Sequence, residues 1–302
     1  MLTSFSSRFG WTTSAQSAFD HLAATLPEGS KVVVENPGYV FADAAFAGRG
    51  LTIVPAPVDR DGLDVAAARA LVPSPSLILV TAATQFPTGV TMSAERRAQL
   101  LAWASQTGAC VVEEEYDAEA RFDGEAPAPP LRVDSQDVIT VTSLNRVLFR
   151  SLRLGFMLVP EILRVPLLQA RAAIDGYVGL PHQLVLRDFI EEGAYSAHLR
   201  RSRDMARERR EALLKLVEPY LGNLFEPVLN PCGLHLVLRP RSVEVSTLES
   251  ALRDKGIACG TLSELTRGPC PNDALLLGFA AFSPDVIESM RPTLDSALGP
   301  FA

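Results

Sequence analysis

A mainly parallel α/β sheet covered by helices, with a smaller α+β domain behind it, is the fold class this sequence predicts. Three observations point there. Short apolar, β-branched runs recur through about the first 160 residues; amphipathic stretches separate them; and after about Ile162 the pattern turns almost wholly helical before strands return. The runs are Lys31–Glu35, Leu51–Val54, Leu77–Val80, Cys110–Glu113, Val138–Val141 and Gly155–Val159. Most are apolar at successive positions rather than alternate ones. That pattern marks strands buried on both faces, as in a parallel sheet between helix layers. Asn36-Pro37-Gly38 closes the first run as a turn, and Ala94–Thr107 carries Leu100, Leu101 and Trp103 on one side of a helix.

From Ile162 to Tyr220 the chain is helical and dense in arginine. Arg200, Arg201, Arg203, Arg207, Arg209 and Arg210 stand among Asp204, Glu208 and Glu211, which favours a solvated helix laced with i,i+4 pairs over a nucleic-acid surface. A strand over 233–238, a helix over 246–255, a strand over 275–279 and a helix over 284–298 complete the chain. The expected domains are residues 1–165 (large α/β), 166–221 (connecting helices) and 222–302 (small α+β), with Ala126–Leu131 a proline-rich surface loop.

Composition narrows the function. With 302 residues, 47% hydrophobic and 21% charged, the chain is an ordinary folded protein. Its net charge of −7 argues against a general nucleic-acid binder, and no apolar run approaches the roughly 20 residues needed to cross a bilayer. Met1–Gly10 is serine-rich and has no apolar core of an export signal, so a soluble cytoplasmic protein is expected. Cys110, Cys232, Cys259 and Cys270 form no C-x-x-C pair and the four histidines are scattered, so free thiols and no metal site are expected.

Several segments, in order, carry a resemblance. They are Glu35-Asn36-Pro37-Gly38-Tyr39, Gln85 to Ser93, Glu114-Glu115-Tyr116-Asp117 with Arg121-Phe122-Asp123-Gly124, and Ser151 to Gly155. Asp188 to Gly193, the arginine run, Gly233-Leu234-His235 and Leu275 to Ala280 follow. Together they resemble the aminotransferase-like domain of MocR/GabR-type bacterial regulators, within the fold-type I enzymes that use pyridoxal phosphate (PLP). The resemblance implies the fold-type I architecture, a homodimer with pockets at the subunit boundary, and the arginine run as a structural signature. Relative to it, the winged-helix domain and several dozen residues ahead of the phosphate loop are missing, so a shortened, stand-alone core is expected.

The resemblance also locates a cofactor pocket, and the departures gather there. The family's lysine stands seven residues before the arginine of Leu152-Arg153-Leu154-Gly155, which is Arg146 here. A guanidinium stays charged and is a poor nucleophile, and Lys31, Lys215 and Lys255 do not align with that position, so no covalent PLP link is expected. Glu114 replaces an aspartate, Ser14-Ala15-Gln16 replaces Gly-Ser-Gln, and Thr84 replaces a histidine. The remnant pocket implied is Tyr39, Gln85, Ser143 and Arg153, now open to substrate, with Glu114, Tyr116, Arg146 and His182 as candidates for catalysis. Tyr177 is weighed with His182, and His235 is expected to support the small domain. The expected function is a PLP-independent enzyme performing a cyclisation, isomerisation, elimination or condensation on a small anionic or polar biosynthetic intermediate. A non-catalytic binding or partner protein, and a noncovalent binder of PLP or its amine form, are the alternatives. No nucleic acid and no membrane are expected as partners.

Overall fold

A computed structural model describes residues 9–115, 117, 120–124, 128–135, 137–176, 178–228 and 232–302. Tyr116, Tyr177, Ala126 and Pro127 therefore lie outside the described residues.

The first half forms one sheet from β1 (Phe9–Thr12), β2 (Lys31–Asn36), β3 (Thr52–Asp59), β4 (Gly62–Leu63), β5 (Leu77–Val80), β6 (Cys110–Glu114), β7 (Ile139–Ser143) and β8 (Gly155–Leu158). Their order is β1-β8-β7-β6-β5-β2-β3-β4. The run β7-β6-β5-β2-β3 is parallel, whereas β8 is antiparallel to both β7 and β1, and β4 to β3. Helices α1 (Ala15–Ala24), α2 (Asp43–Ala47), α3 (Val65–Leu71) and α4 (Ala94–Thr107) cover the two faces, and α5 (Leu144–Val147) is a single turn after β7.

Both faces of the central strands are dry. Val32, Val34, Leu79 and Val112 pack with Phe19 and Leu22 of α1 and Phe46 of α2, while Val33, Ile78 and Val111 pack with Leu100 and Trp103 of α4. Each such side chain, fully buried, stabilises the fold by about 1.5–3 kcal/mol. α4 begins where Ser93 Oγ accepts the Arg96 N–H at 3.3 Å. Gly155 cannot carry a side chain: a Cβ there would stand 2.7 Å from the Thr142 carbonyl oxygen and 3.0 Å from Thr12 Oγ1. Its bareness lets β1, β8 and β7 close up beside the loop that opens α1.

The helical half comprises α6 (Glu161–Ile174), α7 (Leu180–Glu191) and the 24-residue α8 (Ala194–Val217). The arginines of α8 do more than decorate a solvated surface. Arg207 pairs with Asp204 one turn back, but Arg209 donates to the Ala280 carbonyl and the Arg210 guanidinium lies 5.6 Å from the Phe122 ring centroid. These contacts correct the expectation of a run explained by i,i+4 pairs: part of it fastens α8 to its neighbours.

The second sheet has β9 (Phe225–Val228), β10 (His235–Pro240), β11 (Gly260–Thr261) and β12 (Leu275–Gly278) in the order β11-β12-β10-β9, all antiparallel. Its core joins α9 (Val245–Asp254), α10 (Pro284–Ser289) and α11 (Arg291–Leu298) to Leu213, Leu216 and Val217 from the end of α8. The single helix expected over 284–298 is two. Pro292 offers no N–H to the carbonyl one turn back, and its ring crowds that carbonyl. Among the described residues no helix is long and apolar enough to cross a membrane.

Candidate functional site

In parallel sheets, polar groups at the carboxyl ends of the strands face a common crevice. Here Glu114 ends β6, Ser143 ends β7, and Tyr39 follows the turn after β2. Together with the first turn of α1, Arg146, Arg153 and Asp175 they line a cavity of about 530 Å³.

One end is built for an anion. Ser14 caps α1, its Oγ accepting the Ser17 N–H at 3.1 Å. The N–H groups of Ala15 and Gln16, at the start of the helix, have no intrahelical acceptor, and both residues line the cavity. Arg153, in the left-handed region at φ 51, adds a guanidinium. Asn145 holds these pieces together: its Nδ2 donates to the Thr13 carbonyl at 2.9 Å, and its Oδ1 accepts the Leu154 N–H at 3.0 Å. Sequence reasoning passed over Asn145, whose signal was a buried-type amide inside Ser143-Leu144-Asn145-Arg146.

The other end holds the titratable groups Glu114 and Tyr39. Glu114 is buried, its Oε2 has no hydrogen-bond partner within the described protein, and its carboxyl is pushed up to about 7. Burial is the main cause; Arg146 opposes it, while Asp117 and Glu35 add to it. Arg146 Nη2 donates to Asp117 Oδ2 at 2.9 Å, with Asp117 nearly buried and Arg146 45% exposed toward the cavity. The Tyr39 phenol is pushed up as well, chiefly by burial and then by Glu114, against a smaller opposing pull from Arg146.

At the rim, Ser17 Oγ donates to Asp175 Oδ2 at 2.7 Å, and the buried His21 sets Nε2 3.1 Å from Asp175 Oδ1. Burial lowers the His21 pKa, and Asp175 works the other way. Sequence reasoning found neither residue, since nothing in the sequence links α1 to the end of α6.

Two expected site residues are not in the cavity. Gln85 is buried and fully engaged: Nε2 donates to the Pro37 carbonyl at 2.9 Å, and Oε1 accepts from Thr88 N–H at 3.1 Å and Thr88 Oγ1 at 2.6 Å. These bonds shape the turn after β5. His182 is exposed in the first turn of α7 and does not line the cavity. Tyr116 lies outside the described residues. The structure does bring together Tyr39, Glu114, Ser143, Arg146 and Arg153. His235, on β10 of the second sheet, stands against the Pro87 carbonyl after β5 at 2.5 Å.

The profile described as "Aminotransferase class I and II" matches residues 11–273. The chain belongs to the class I and II aminotransferase family. It is 35% identical over 286 residues to the probable rhizopine catabolism regulatory protein MocR of Rhizobium meliloti, a match covering 93% of this chain and 57% of that one. It is also 31% identical over 216 residues to the 2-aminoadipate transaminase of Thermus thermophilus, covering 68% of this chain and 54% of the relative. The chain thus spans somewhat more than half the length of the curated relatives it matches. Among solved structures it is similar to the α-aminoadipate aminotransferase LysN of Thermus thermophilus, with a TM-score of 0.86, 25% identity and coverage of 97% of this chain and 77% of that one. That enzyme was solved with N-(5'-phosphopyridoxyl)-L-leucine, and this family normally depends on PLP.

The aminotransferase cavity of this chain suits the phosphate half of such a group, through the N–H groups of Ala15 and Gln16 and the Arg153 guanidinium. None of its described lining residues is a lysine. Lys31, Lys215 and Lys255 are the chain's only lysines and none lines the cavity, while the position that the family resemblance gives to lysine carries Arg146.

Proposed function

We propose that this chain is an aminotransferase-fold protein that holds a small anionic molecule without covalent capture and moves a proton on it, independently of PLP. One observation carries the reading: Glu114, a buried carboxyl without a protein hydrogen-bond partner, faces a cavity lined by two arginines and no lysine. The ligand's anionic group rests on the first turn of α1 and Arg153. Glu114, poised at about 7, takes a proton from the ligand or gives one back near neutral pH. Charge left on a ligand oxygen by that transfer is met by the Arg146 guanidinium. Cyclisation, isomerisation, elimination and condensation all share this need for a proton acceptor beside an oxyanion-stabilising group. The test is solvent exchange: a panel of small phosphorylated and carboxylated carbon acids, incubated with the protein in D2O, should yield deuterium incorporation that Glu114→Gln abolishes. Exchange by neither protein across the panel would sink the reading.

A second reading, noncovalent binding of PLP or its amine form, is favoured by the anion end that the first turn of α1 and Arg153 still form. Under both readings, Arg153→Ala should weaken binding of inorganic phosphate about tenfold, measured by calorimetry, since a charge-assisted contact is removed. An unchanged affinity would place the anion elsewhere.

The assembly proposed is a homodimer, and its setting the cytoplasm, where the free cysteines of the described chain stay reduced. α6 and α7 expose Ile162, Val165, Leu168, Leu180, Val185 and Ile190, more apolar surface than two solvated helices ordinarily carry. Sedimentation at micromolar concentration should give a dimer, and the double change Val165→Asp and Val185→Asp should give monomer. A monomeric wild type would contradict the assignment.

A further inference from the structure

None of the described cavity-lining residues comes from the small domain. That domain nevertheless grips the wall of the cavity through one short segment after β11. The Arg267 N–H donates to Asn36 Oδ1 at 2.7 Å, and Asn36 Nδ2 donates back to the Arg267 carbonyl at 3.1 Å. The Gly38 N–H donates to the Leu265 carbonyl at 3.0 Å. The Arg267 side chain, 14% exposed, then spans the whole turn between β2 and α2. Its Nε donates to Asp43 Oδ2 at 2.6 Å and its Nη2 to Asp43 Oδ1 at 2.5 Å. Nη1 reaches the Glu35 carbonyl at 3.0 Å, and Nη2 the Tyr39 carbonyl at 3.3 Å.

This is a task for the planar fork of an arginine, which can engage a carboxylate on one edge and carbonyls on the other; a lysine ammonium cannot cover the same span. The turn it grips has little slack. A Cβ on Gly38 would stand 2.3 Å from the Glu35 carbonyl oxygen, so the backbone there is folded tightly on itself. Within that turn Tyr39 lines the cavity, where Glu114 and Arg146 act on its phenol, and Glu35 is buried close enough to act on Glu114. The ring contacts of Tyr39, to Phe19 at 6.4 Å, Phe41 at 5.5 Å and Phe86 at 6.2 Å, support the ring, while its carbonyl accepts from the Ala42 N–H at 3.2 Å within the turn and from Arg267 across to the later segment.

We propose that Arg267 is a positioning residue of the pocket: by clamping the turn from Glu35 to Asp43 it fixes where Tyr39 stands on the cavity wall, so that the small domain sets the geometry of a site it does not line. The consequence for ligand binding rests on the reading of the cavity as a ligand site; the placement of Tyr39 does not.

The experiment therefore has two readouts on Arg267→Met, Arg267→Lys and Asp43→Asn, each taken on protein shown folded by circular dichroism. The first is the rate at which tetranitromethane nitrates Tyr39, followed by peptide mass. The second is the affinity for pyridoxine 5'-phosphate, a probe that has no aldehyde to react with surface lysines. Nitration of Tyr39 should rise severalfold in Arg267→Met and in Asp43→Asn, and less in Arg267→Lys. Probe affinity should fall about fivefold in Arg267→Met, the worth of one hydrogen bond. Tyr39→Phe should weaken binding in the wild-type background and add nothing in Arg267→Met. An unchanged nitration rate in folded Arg267→Met overturns the proposal, as does a Tyr39→Phe effect of equal size in both backgrounds. Faster nitration in a protein whose wild type binds no probe upholds the role of Arg267 and removes the ligand reading instead.

Discussion

Glu114→Gln should make the protein more stable at pH 8.5 by on the order of 3 kcal/mol and leave it nearly unchanged at pH 4. The Glu114 carboxyl ionises at about 4.5 in the unfolded chain and at about 7 in the folded one. Below 4.5 both states hold the proton and burial costs nothing extra. Between 4.5 and 7 the unfolded chain releases its proton first, so stability falls as pH rises, and above 7 the loss is complete. Gln keeps the shape and cannot ionise, so it removes the slope. Glu35 and Glu113 are likewise pushed up to about 7, mainly by burial, so the wild type should be most stable on the acid side and weaken towards pH 8. Glu35 adds a minor part to the upward push on Glu114. Urea unfolding at the two pH values reads the effect; equal slopes in wild type and variant would mean that Glu114 ionises as an exposed carboxylate does.

The second large effect is all or nothing. Borohydride reduction in the presence of PLP should fix no cofactor at position 146 of the wild type, and should fix it on the lysine of Arg146→Lys, read by peptide mass. Transaminase turnover should stay at least about a thousandfold below that of a working enzyme in both proteins, because residues that act as a unit are not restored one at a time. Ser14, Ala15, Thr84 and Glu114 all remain departures from the family resemblance in the variant. Cofactor found on Lys31, Lys215 or Lys255 at one per chain, with transamination, would overturn the PLP-independent reading.

The sheet was legible where the chain is monotonous. Val32 to Val34 and Leu77 to Val80 are apolar at every position because both faces are covered, and such runs read as strands without knowledge of their partners. Phe9–Thr12, Gly62–Leu63 and Gly260–Thr261 were not legible: so few residues, with Gly in each, carry no clear period, and the partner of Phe9–Thr12 lies well over a hundred residues away. The site divided the same way. Glu114, Arg146 and Arg153 were reachable because they interrupt a family pattern or complete it. Gln85 shows the limit of such patterns: an amide within one can serve a ligand or a turn, and its hydrogen bonds here run to the turn. His21, Asp175 and Arg267 act across long stretches of chain, from positions that spacing cannot relate.

The pairing of β1 with β8 has a consequence during synthesis. Phe9 lies opposite Leu158 and Thr12 opposite Gly155, so β1 leaves the ribosome long before its neighbour among the described strands exists. A comparable interval separates Thr13 from Asn145. Until residue 155 has emerged, the loop that opens α1 keeps its Ser14 cap but lacks both the strand pairing beside it and the Asn145 bond. The nascent protein therefore carries an unpaired apolar edge for many seconds at ordinary elongation rates. Its anion end is among the last local structures of the large sheet to close, and chains that stall before residue 155 should be captured by holdase chaperones rather than by ligand.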